Sequence, residues 1–506
     1  MMRVSKILVY FIIFIFLFLP IAYLLFFIFL PNFNWIKVTS LMNERTFKLF
    51  SRTLIIGMSS SIIATLLGII AAFSLEFSSI KFKTFFKFIL LLPLLIPPYI
   101  FTFSWMGFLG KRGMFIETIF PNVLIDIYNI YFVVFMLTLS YFPLSLLLIS
   151  WGMKSIDRNL IDSAKLISLK KTITKIILPL LTPHIIISIF LIFVFAISEY
   201  IVPSFLRVNT FSGELFAQFS AFYDLEGALV YSALFLILSF ALSFAIFLYF
   251  RDKKLYSVSS YFKNPAPFIN LHGFKKFAIY TFLGMIFLFS FLIPFLVIIL
   301  ESEFKILDAI ISSSKQVLNS LLISIVSSVI ITLTGFFVYR ILRGKNIFSI
   351  FSLPISLSSP LIAISIINLY ILTPAYGTVF MLLLAYMMKY LPISVLLFYV
   401  FGSQISIEIE EASKIYVNDF KRVFKIILPL SIGGIISSLF LLTIFIINEA
   451  DISLMVSPPG FQTLSLKIET LMHYGNYSFV ASLSLFLILL TLLLYIFYSW
   501  LVTRLW

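Results

Sequence analysis

The sequence predicts an all-α integral membrane protein with about twelve transmembrane helices in two parallel six-helix repeats. Hydrophobic residues make up 61% of the 506 residues and charged residues only 11%, which is too few polar side chains for a soluble surface. Apolar runs of more than about 18 residues recur along the chain, and each is long enough to cross a bilayer as a helix. The hexapeptide KIILPL occurs at residues 175–180 and again at 425–430, once in each half.

The apolar runs define the predicted spans. We place them at residues 7–30, 53–76, 86–110, 129–152, 184–206, 228–250, 277–300, 317–340, 347–372, 378–401, 431–450 and 478–502. An even number of spans puts both termini on the same side of the membrane. Prolines at 93, 97, 98, 354 and 360 are expected to kink or break the third span of each half.

Loop charge predicts the orientation, because basic loops stay in the cytoplasm. The basic loops lie at 81–87, 154–175, 251–276 and 340–345, whereas the alternate loops at 214–226 and 301–308 are acidic. Both termini are therefore predicted to be cytoplasmic. The loop 31–52 dissents, since its four basic residues fall on the outer side.

The two halves match beyond the hexapeptide. SYFPLS (140–145) corresponds to KYLPIS (389–394), and GMSSSIIATLLG (57–68) to SIVSSVIITLTG (324–335). The order and spacing are kept, which indicates an internal repeat. Six spans per unit make the units parallel, with a pathway expected between them. We therefore divide the chain into repeats at 1–250 and 277–506, joined by a basic cytoplasmic linker at 251–276.

Two functional classes lose support from composition. The chain has no cysteine, so disulfides and thiolate chemistry are excluded, and its three histidines show no metal-ligand spacing. An integral membrane enzyme would need a cluster of His, Asp or Glu, and none appears. A secondary transporter with two six-span halves remains an alternative, although few buried charges are visible to couple ions.

A polar, helix-forming segment leads into each KIILPL. The two segments lie at about 156–178 and 405–428, so each includes the first residues of the hexapeptide. The first contains Asp162, Ser163, Ala164 and Lys165, and the second contains Glu410, Glu411, Ala412 and Ser413. An ordinary solvated loop would also account for such segments. Their matched positions favour instead a segment that docks on a partner.

These segments resemble the Glu-Ala-Ala signature loop of ABC importer permeases, which is followed after about sixteen residues by Leu-Pro. LLLPLLIPPYIFTFSWMGFLGKRG (90–113) and AYGTVFMLLLAYMMKYLPIS (375–394) are similar to stretches of the fused permeases for ferric iron and thiamine. The family's glycine is replaced in both loops, by Ser168 and Val417.

The resemblance implies a type I ABC importer permease in the inner membrane of a prokaryote. Each loop would form a coupling helix on one of two cytoplasmic ATPase subunits, and an extracytoplasmic binding protein would deliver the substrate. ATP and Mg²⁺ would bind the partner ATPases, with no cofactor on this chain. The sequence agrees on one point, because GFLGKRG (107–113) lacks the spacing and the Ser/Thr of a phosphate-binding loop. The resemblance favours ferric iron as substrate, with thiamine, phosphonate and polyamine as alternatives.

Two matched polar pairs are the candidate translocation residues. Ser198–Glu199 corresponds to Asn448–Glu449, at the outer end of a predicted span in each half. A carboxylate at such a depth usually faces a cavity or a partner, which favours an outer gate or path for a cationic substrate. The alternative is a pair of solvated carboxylates in outer loops. Lys389 also lies inside a span and could extend to the outer face, but its counterpart is Ser140.

Overall fold

The computed structural model describes residues 10–28, 35–119, 125–250, 272–342, 347–402 and 422–505, except for residues 12, 112, 155, 157, 166 and 167. The fold is all-α, as predicted.

The described part of the first half contains thirteen α-helices. They are α1 (Leu19–Ile28), α2 (Trp35–Leu41), α3 (Glu44–Phe77), α4 (Lys83–Leu91), α5 (Pro98–Leu109), α6 (Met114–Ile119), α7 (Ile130–Lys154), α8 (Arg158–Lys165), α9 (Leu169–Lys171), α10 (Leu178–Ser198), α11 (Ile201–Phe205), α12 (Phe211–Ser220) and α13 (Leu225–Phe250).

The described part of the second half repeats this order. Its helices are α14 (Gly273–Phe287), α15 (Ile293–Glu301), α16 (Ile306–Ser312), α17 (Ser314–Leu342), α18 (Ile347–Ile355), α19 (Ser359–Tyr370), α20 (Val379–Gly402), α21 (Leu428–Leu430), α22 (Ile432–Ile447), α23 (Asp451–Val456), α24 (Leu464–Tyr474) and α25 (Tyr477–Leu505). Most of the predicted linker lies outside the described residues, and α14 begins inside its predicted end.

The described residues contain eight helices that are long and apolar enough to cross a membrane, or nine if one bent pair is a single span. The predicted total of twelve is therefore not confirmed. Three shorter apolar helices, Phe14–Phe26, Ser359–Tyr370 and Ile432–Ile447, fall where the remaining spans were predicted. Two of them are shortened by breaks in the helix, just before Ser359 and at Ser431.

The third span of each half is broken at proline, as predicted. In the first half a short 3₁₀ segment, Leu92–Leu95, is followed by the restart of the helix at Pro98. In the second half α18 ends just after Pro354, and Pro360 lies in the first turn of α19. Proline is tolerated in a first turn, where its missing N–H costs no helical hydrogen bond.

The repeat is visible in side-chain packing. The second span (α3 or α17) meets the fourth (α7 or α20) through a glycine on a serine. A Cβ added to Gly68 would lie 2.2 Å from Ser145 Oγ, and one added to Gly335 would lie 2.2 Å from Ser394 Oγ. These residues end the matched segments 57–68, 324–335, 140–145 and 389–394. The small residues therefore serve close helix packing.

The two halves interlock rather than lying side by side. The helix α19 packs against α1 and α13 of the first half, while α5 of the first half packs against α15 of the second. Each of the two hydrophobic cores accordingly contains residues from both halves. This arrangement buries the matched outer ends of the spans at the boundary between the repeats.

Four π-helical segments occur in the described residues, and each is followed two residues later by a proline. They are Phe14–Phe18, Thr172–Ile177, Leu288–Leu292 and Val423–Ile427, preceding Pro20, Pro179, Pro294 and Pro429. Proline cannot donate to the carbonyl four residues earlier and clashes with it, and a wider turn relieves both problems. The KIILPL motif therefore lies across a π-to-α transition. Pro179 and Pro429 lie in the first turn of the α-helical part, and the π-helical turn precedes them.

Basic residues of loop 31–52, which do not fit the loop-charge rule, are paired with acidic residues. Lys37 pairs with Asp224, and Arg45 pairs with Glu214 at 2.8 Å. The hydrogen bond with Asp224 raises the pKa of Lys37 above its ordinary value. Acidic residues of the segment 214–226 thus compensate these positive charges, which the loop-charge rule could not count.

Candidate functional site

The two matched glutamates begin the candidate site at the ends of α10 and α22. Glu199 Oε1 accepts a hydrogen bond from the backbone N–H of Val202 at 3.3 Å, and Glu449 Oε1 accepts one from Ile452 at 3.1 Å. Each carboxylate thus binds the first turn of the short helix that follows it, where the helix dipole favours a negative charge. The two contacts have the same spacing in both halves.

Both carboxylates also face a tyrosine from the fourth span. Tyr141 donates its hydroxyl to Glu199 Oε2 at 3.5 Å, and Tyr390 donates to Glu449 Oε2. These tyrosines are the second residues of SYFPLS and KYLPIS, so the sequence repeat predicted their equivalence. The packing of the fourth span on the fifth places them beside the glutamates.

Both glutamates are buried, with exposed fractions of 8% for Glu199 and 7% for Glu449. The alternative of solvated carboxylates in outer loops is therefore wrong. The short helices that follow the glutamates pack elsewhere in the bundle, α11 against α5 and α7, and α23 against α19 and α20. Such burial is costly for a carboxylate unless it is paired or faces a cavity.

Lys389 breaks the symmetry of the site. Its Nζ lies 2.6 Å from Glu449 Oε2 and donates to Ser359 Oγ at 2.7 Å. Extension of Lys389 to the outer face is therefore not observed, because the ammonium group is held inside by these two oxygens. In the first half Ser140 occupies the corresponding position in the sequence, so Glu199 has no equivalent lysine.

Asp451 is a site residue that the sequence comparison missed. It is the first residue of α23, has an exposed fraction of 8%, and lies within electrostatic range of Glu199, Glu449 and Lys389. Its counterpart at a shift of 250 is Ile201, so a search for matched residues passed over it. Its position two residues after Glu449 was the available signal.

The polar neighbours of the glutamates take different roles. Asn448 donates its amide to the backbone carbonyl of Leu95 at 3.4 Å, which ties α22 to the broken third span of the first half. Ser198 is buried, and its hydroxyl has no hydrogen-bond partner in the described part of the chain.

A cavity of about 390 Å³ opens beside the site, and both halves form its walls. Tyr200, the neighbour of Glu199, lines it from the first half, and Glu469 and His473 line it from the second. His473 stacks on Phe205 with ring centroids 5.0 Å apart, so the two repeats meet across the cavity. The cavity and the buried carboxylates thus both lie at the boundary between the two repeats.

The described residues contain no group of three or more His, Cys, Asp or Glu side chains placed to hold a metal ion. The three carboxylates of the site are close enough to influence one another but do not converge on one point.

Of the two predicted coupling segments, only the first has its candidate residues among those that the structure describes. Asp162 and Ser163 are exposed on α8, which also contains Ala164 and Lys165. The helix α8 precedes the π-helical turn that leads into the fifth span, α10. Glu410, Glu411, Ala412 and Ser413 lie outside the described residues.

Comparison with known proteins gives two matches. Residues 64–255 match the family model described as the binding-protein-dependent transport system inner membrane component. The chain is also 25% identical over 475 residues to a Haemophilus influenzae protein named Fe(3+)-transport system permease protein FbpB 2, and the match covers 90% of each chain.

The family match includes spans two to six of the first half, and the relative extends the similarity through both halves. Several apolar helices of membrane-spanning length accompany it. Residues 64–255 are therefore similar to the permeases of binding-protein-dependent transport systems, and the chain as a whole is similar to a ferric-iron permease.

Proposed function

We propose that this permease carries ferric iron across the inner membrane. The observation that carries the proposal is the buried group of Glu199, Glu449 and Asp451 at the boundary between the halves, with Lys389 as the cation within their range. Three carboxylates and one ammonium leave an excess of negative charge, and this favours a cationic substrate. The ferric-iron permease named among the relatives supports the same substrate.

Glu199 and Glu449 form the outer gate of the path in this proposal, with Ser198 and Asn448 beside them. The cavity lined by Tyr200, Glu469 and His473 is the vestibule through which the substrate enters. Because the walls come from both repeats, a movement of one half against the other would open or close this entrance. Such a movement is the expected form of alternating access between two repeats.

The partners follow from the family. An external binding protein delivers the substrate, and two cytoplasmic ATPase subunits bind ATP and Mg²⁺. The segments with Asp162, Ser163, Ala164 and Lys165 and with Glu410, Glu411, Ala412 and Ser413 are the proposed docking sites for these ATPases, with both termini on the same cytoplasmic side. The linker 251–276 joins the two repeats on that side.

Uptake by the reconstituted complex tests the substrate. The permease, its ATPases and its binding protein would be placed in proteoliposomes and offered ferric iron, thiamine, a phosphonate and a polyamine in separate assays. We expect ATP-dependent accumulation of ferric iron. Accumulation of thiamine or phosphonate in its place would refute the proposal.

A polyamine is the second candidate, and one observation favours it. The Lys389 ammonium already lies among Glu449, Ser359 and the ring of Tyr390, whose centroid is 5.5 Å away. A polyamine presents the same alkylammonium group. Polyamine uptake with no iron uptake would select this function.

Substitution of both gate residues tests the path. The double variant Glu199→Gln with Glu449→Gln removes two negative charges and keeps the side-chain volume, so we expect uptake to fall at least tenfold while ATPase association is retained. Glu303→Gln is the control, because Glu303 is an exposed residue paired with Lys305. Wild-type uptake by the double variant would exclude the proposed gate.

Charge reversal tests the coupling segments. Glu411→Lys is expected to weaken co-purification of the ATPase subunits, because the segment would present the wrong charge to its partner. Glu303→Lys, a reversal in an outer loop of the predicted topology, serves as the matched control. Equal recovery of the ATPase with both variants would remove Glu411 from the docking surface.

A further inference from the structure

The Lys389 ammonium marks the position of a cation in the second half. It lies between Glu449 Oε2, at 2.6 Å, and Ser359 Oγ, at 2.7 Å, and Tyr390 donates to the same carboxylate oxygen. These are a carboxylate and neutral oxygen atoms. The second half thus shows which groups surround a positive charge at this depth.

The first half repeats the carboxylate and the tyrosine without the lysine. Glu199 corresponds to Glu449. Tyr141 corresponds to Tyr390 and Ser140 to Lys389, because these residues occupy the same places in SYFPLS and KYLPIS. Ser140 and Ser198 have exposed fractions of 4% and 6%, and their hydroxyl oxygens have no hydrogen-bond partner among the described residues. A buried hydroxyl without a partner costs about 1–3 kcal/mol, so these oxygens favour a ligand beside Glu199.

The surrounding charge favours a cation as that ligand. Glu199 and Asp451 lie in each other's field and in that of Glu449, and the Lys389 ammonium lies within range of both. Lys389 pairs directly with Glu449, which leaves Glu199 and Asp451 with weaker compensation. A second positive charge would reduce the repulsion between these carboxylates.

We propose that a cation binds beside Glu199, at the position that corresponds to the Lys389 ammonium beside Glu449. The ligands are the Glu199 carboxylate and the Tyr141 hydroxyl, with the buried hydroxyls of Ser140 and Ser198 on the adjoining residues. One carboxylate with neutral oxygens binds a hard cation weakly, and a transport path requires weak binding so that the ion leaves again. The inference rests on the proposed import of a cation and names the first-half position at which it is held.

The decisive variant moves a lysine into this position. S140K would place an ammonium beside Glu199, so we expect uptake to fall at least tenfold. S140M has a similar length without the charge and should lower uptake much less than S140K. Equal losses with S140K and S140M would overturn the proposal, because they would indicate a steric effect alone.

The repeat provides a second test. The exchange variant S140K with K389S moves the lysine from one half to the other and leaves Glu449 with the groups that Glu199 has in the natural chain. We expect this variant to recover at least fivefold over S140K. A folded exchange variant as inactive as S140K would contradict the equivalence of the two positions.

Binding of Tb³⁺ tests the site without transport. Tb³⁺ is a hard trivalent cation whose emission is sensitised by nearby tyrosines, and Tyr141 would be in contact with it. We expect the purified permease to bind Tb³⁺ at least fivefold more weakly in the E199Q variant and no more weakly in E303Q. Displacement of Tb³⁺ by spermidine would identify an alkylammonium site, and displacement by ferric iron alone a metal site.

The binding and uptake results separate the two proposals. If the wild-type complex imports no iron but E199Q still weakens Tb³⁺ binding, the site stands and the ferric-iron function fails. If iron is imported but E199Q binds Tb³⁺ as the wild type does, the site beside Glu199 is wrong and the proposed function stands.

Discussion

At the residue scale, two glycines set the distance between the second and fourth spans. Gly68 and Gly335 each lie against a serine hydroxyl, Ser145 or Ser394, with no room for a Cβ. Close approach of this kind allows van der Waals contact along the helices, which drives association in a membrane, where the hydrophobic effect between helices is absent. The contact is repeated in both halves, so it belongs to the fold rather than to one substrate.

We predict that G68A and G335A each destabilise the permease by about 1–3 kcal/mol, the usual cost of overpacking. G284A is the control, because no atom lies within 4 Å of a Cβ at that position of α14. Thermal unfolding in detergent measures the effect. A transition temperature for G68A as high as that for G284A would contradict the packing argument, and adding S145G to G68A should restore stability.

The ion pair between Lys389 and Glu449 is the second feature at this scale. Both side chains are mostly enclosed, with exposed fractions of 16% and 6%. Breaking such a pair leaves one buried charge without compensation, at a cost of about 3–5 kcal/mol.

We predict that K389M destabilises the protein more than the double variant K389M with E449Q, because the double variant also removes the carboxylate that Lys389 pairs with directly. A double-mutant cycle in thermal unfolding measures the coupling. The exposed pair Lys305–Glu303 provides the comparison, with an expected coupling of about 1 kcal/mol or less. A coupling no larger for the buried pair would mean that the surroundings already compensate the free carboxylate.

At the scale of elements, the π-helical turns at the start of the fifth spans join the predicted coupling segments to the candidate site. Thr172–Ile177 precedes α10, which ends at Glu199, and Val423–Ile427 begins the corresponding span that ends at Glu449. A wide turn before a proline bends more easily than a regular helix. A push on the coupling segment could therefore change the direction of the helix that carries the carboxylate.

We predict that P179A or P429A lowers the amount of substrate imported per ATP hydrolysed by at least threefold, because an unbroken α-helix no longer absorbs the movement. P294A is the matched control, since it removes the proline after a π-helical segment that is not attached to a coupling loop. The ratio of uptake to ATP hydrolysis in proteoliposomes measures the effect. An equal change with P294A would indicate a general effect of these turns.

At the scale of the whole molecule, the interlocked packing makes the two repeats depend on each other. The helix α19 packs on α1 and α13, while α5 packs on α15. A single half therefore exposes faces that the other half normally covers. The chain connection between the halves is less important for this packing than the shared surfaces.

We predict that residues 1–262 and 263–506, expressed as separate chains in the same cell, assemble into a permease that supports uptake. Each half expressed alone should be degraded or aggregate. Affinity purification of one tagged half, followed by detection of the other, measures assembly. Stable isolated halves that do not bind each other would argue against the interlocked arrangement.

Much of the fold could be predicted from local sequence. Apolar runs, the proline pattern and the repeat of KIILPL indicated the helices, the broken third spans and the two units, because each of these depends on residues within one span or on matched residues at a fixed shift. The number of spans was less accessible. Helices such as Ile432–Ile447 are shortened by neighbouring turns, and hydropathy does not report where a turn begins.

The sequence by itself determined that this chain is a helical membrane protein with two matched units, and it singled out Glu199 and Glu449. Composition and repeat spacing are sufficient for this, because they reflect the cost of polar groups in lipid. Only the tertiary structure decided that both carboxylates are buried, that Lys389 compensates one of them, and that Asp451 joins the group. These facts depend on how the fourth span and the short helices after the glutamates pack in the bundle, and no local pattern specifies such contacts between distant segments.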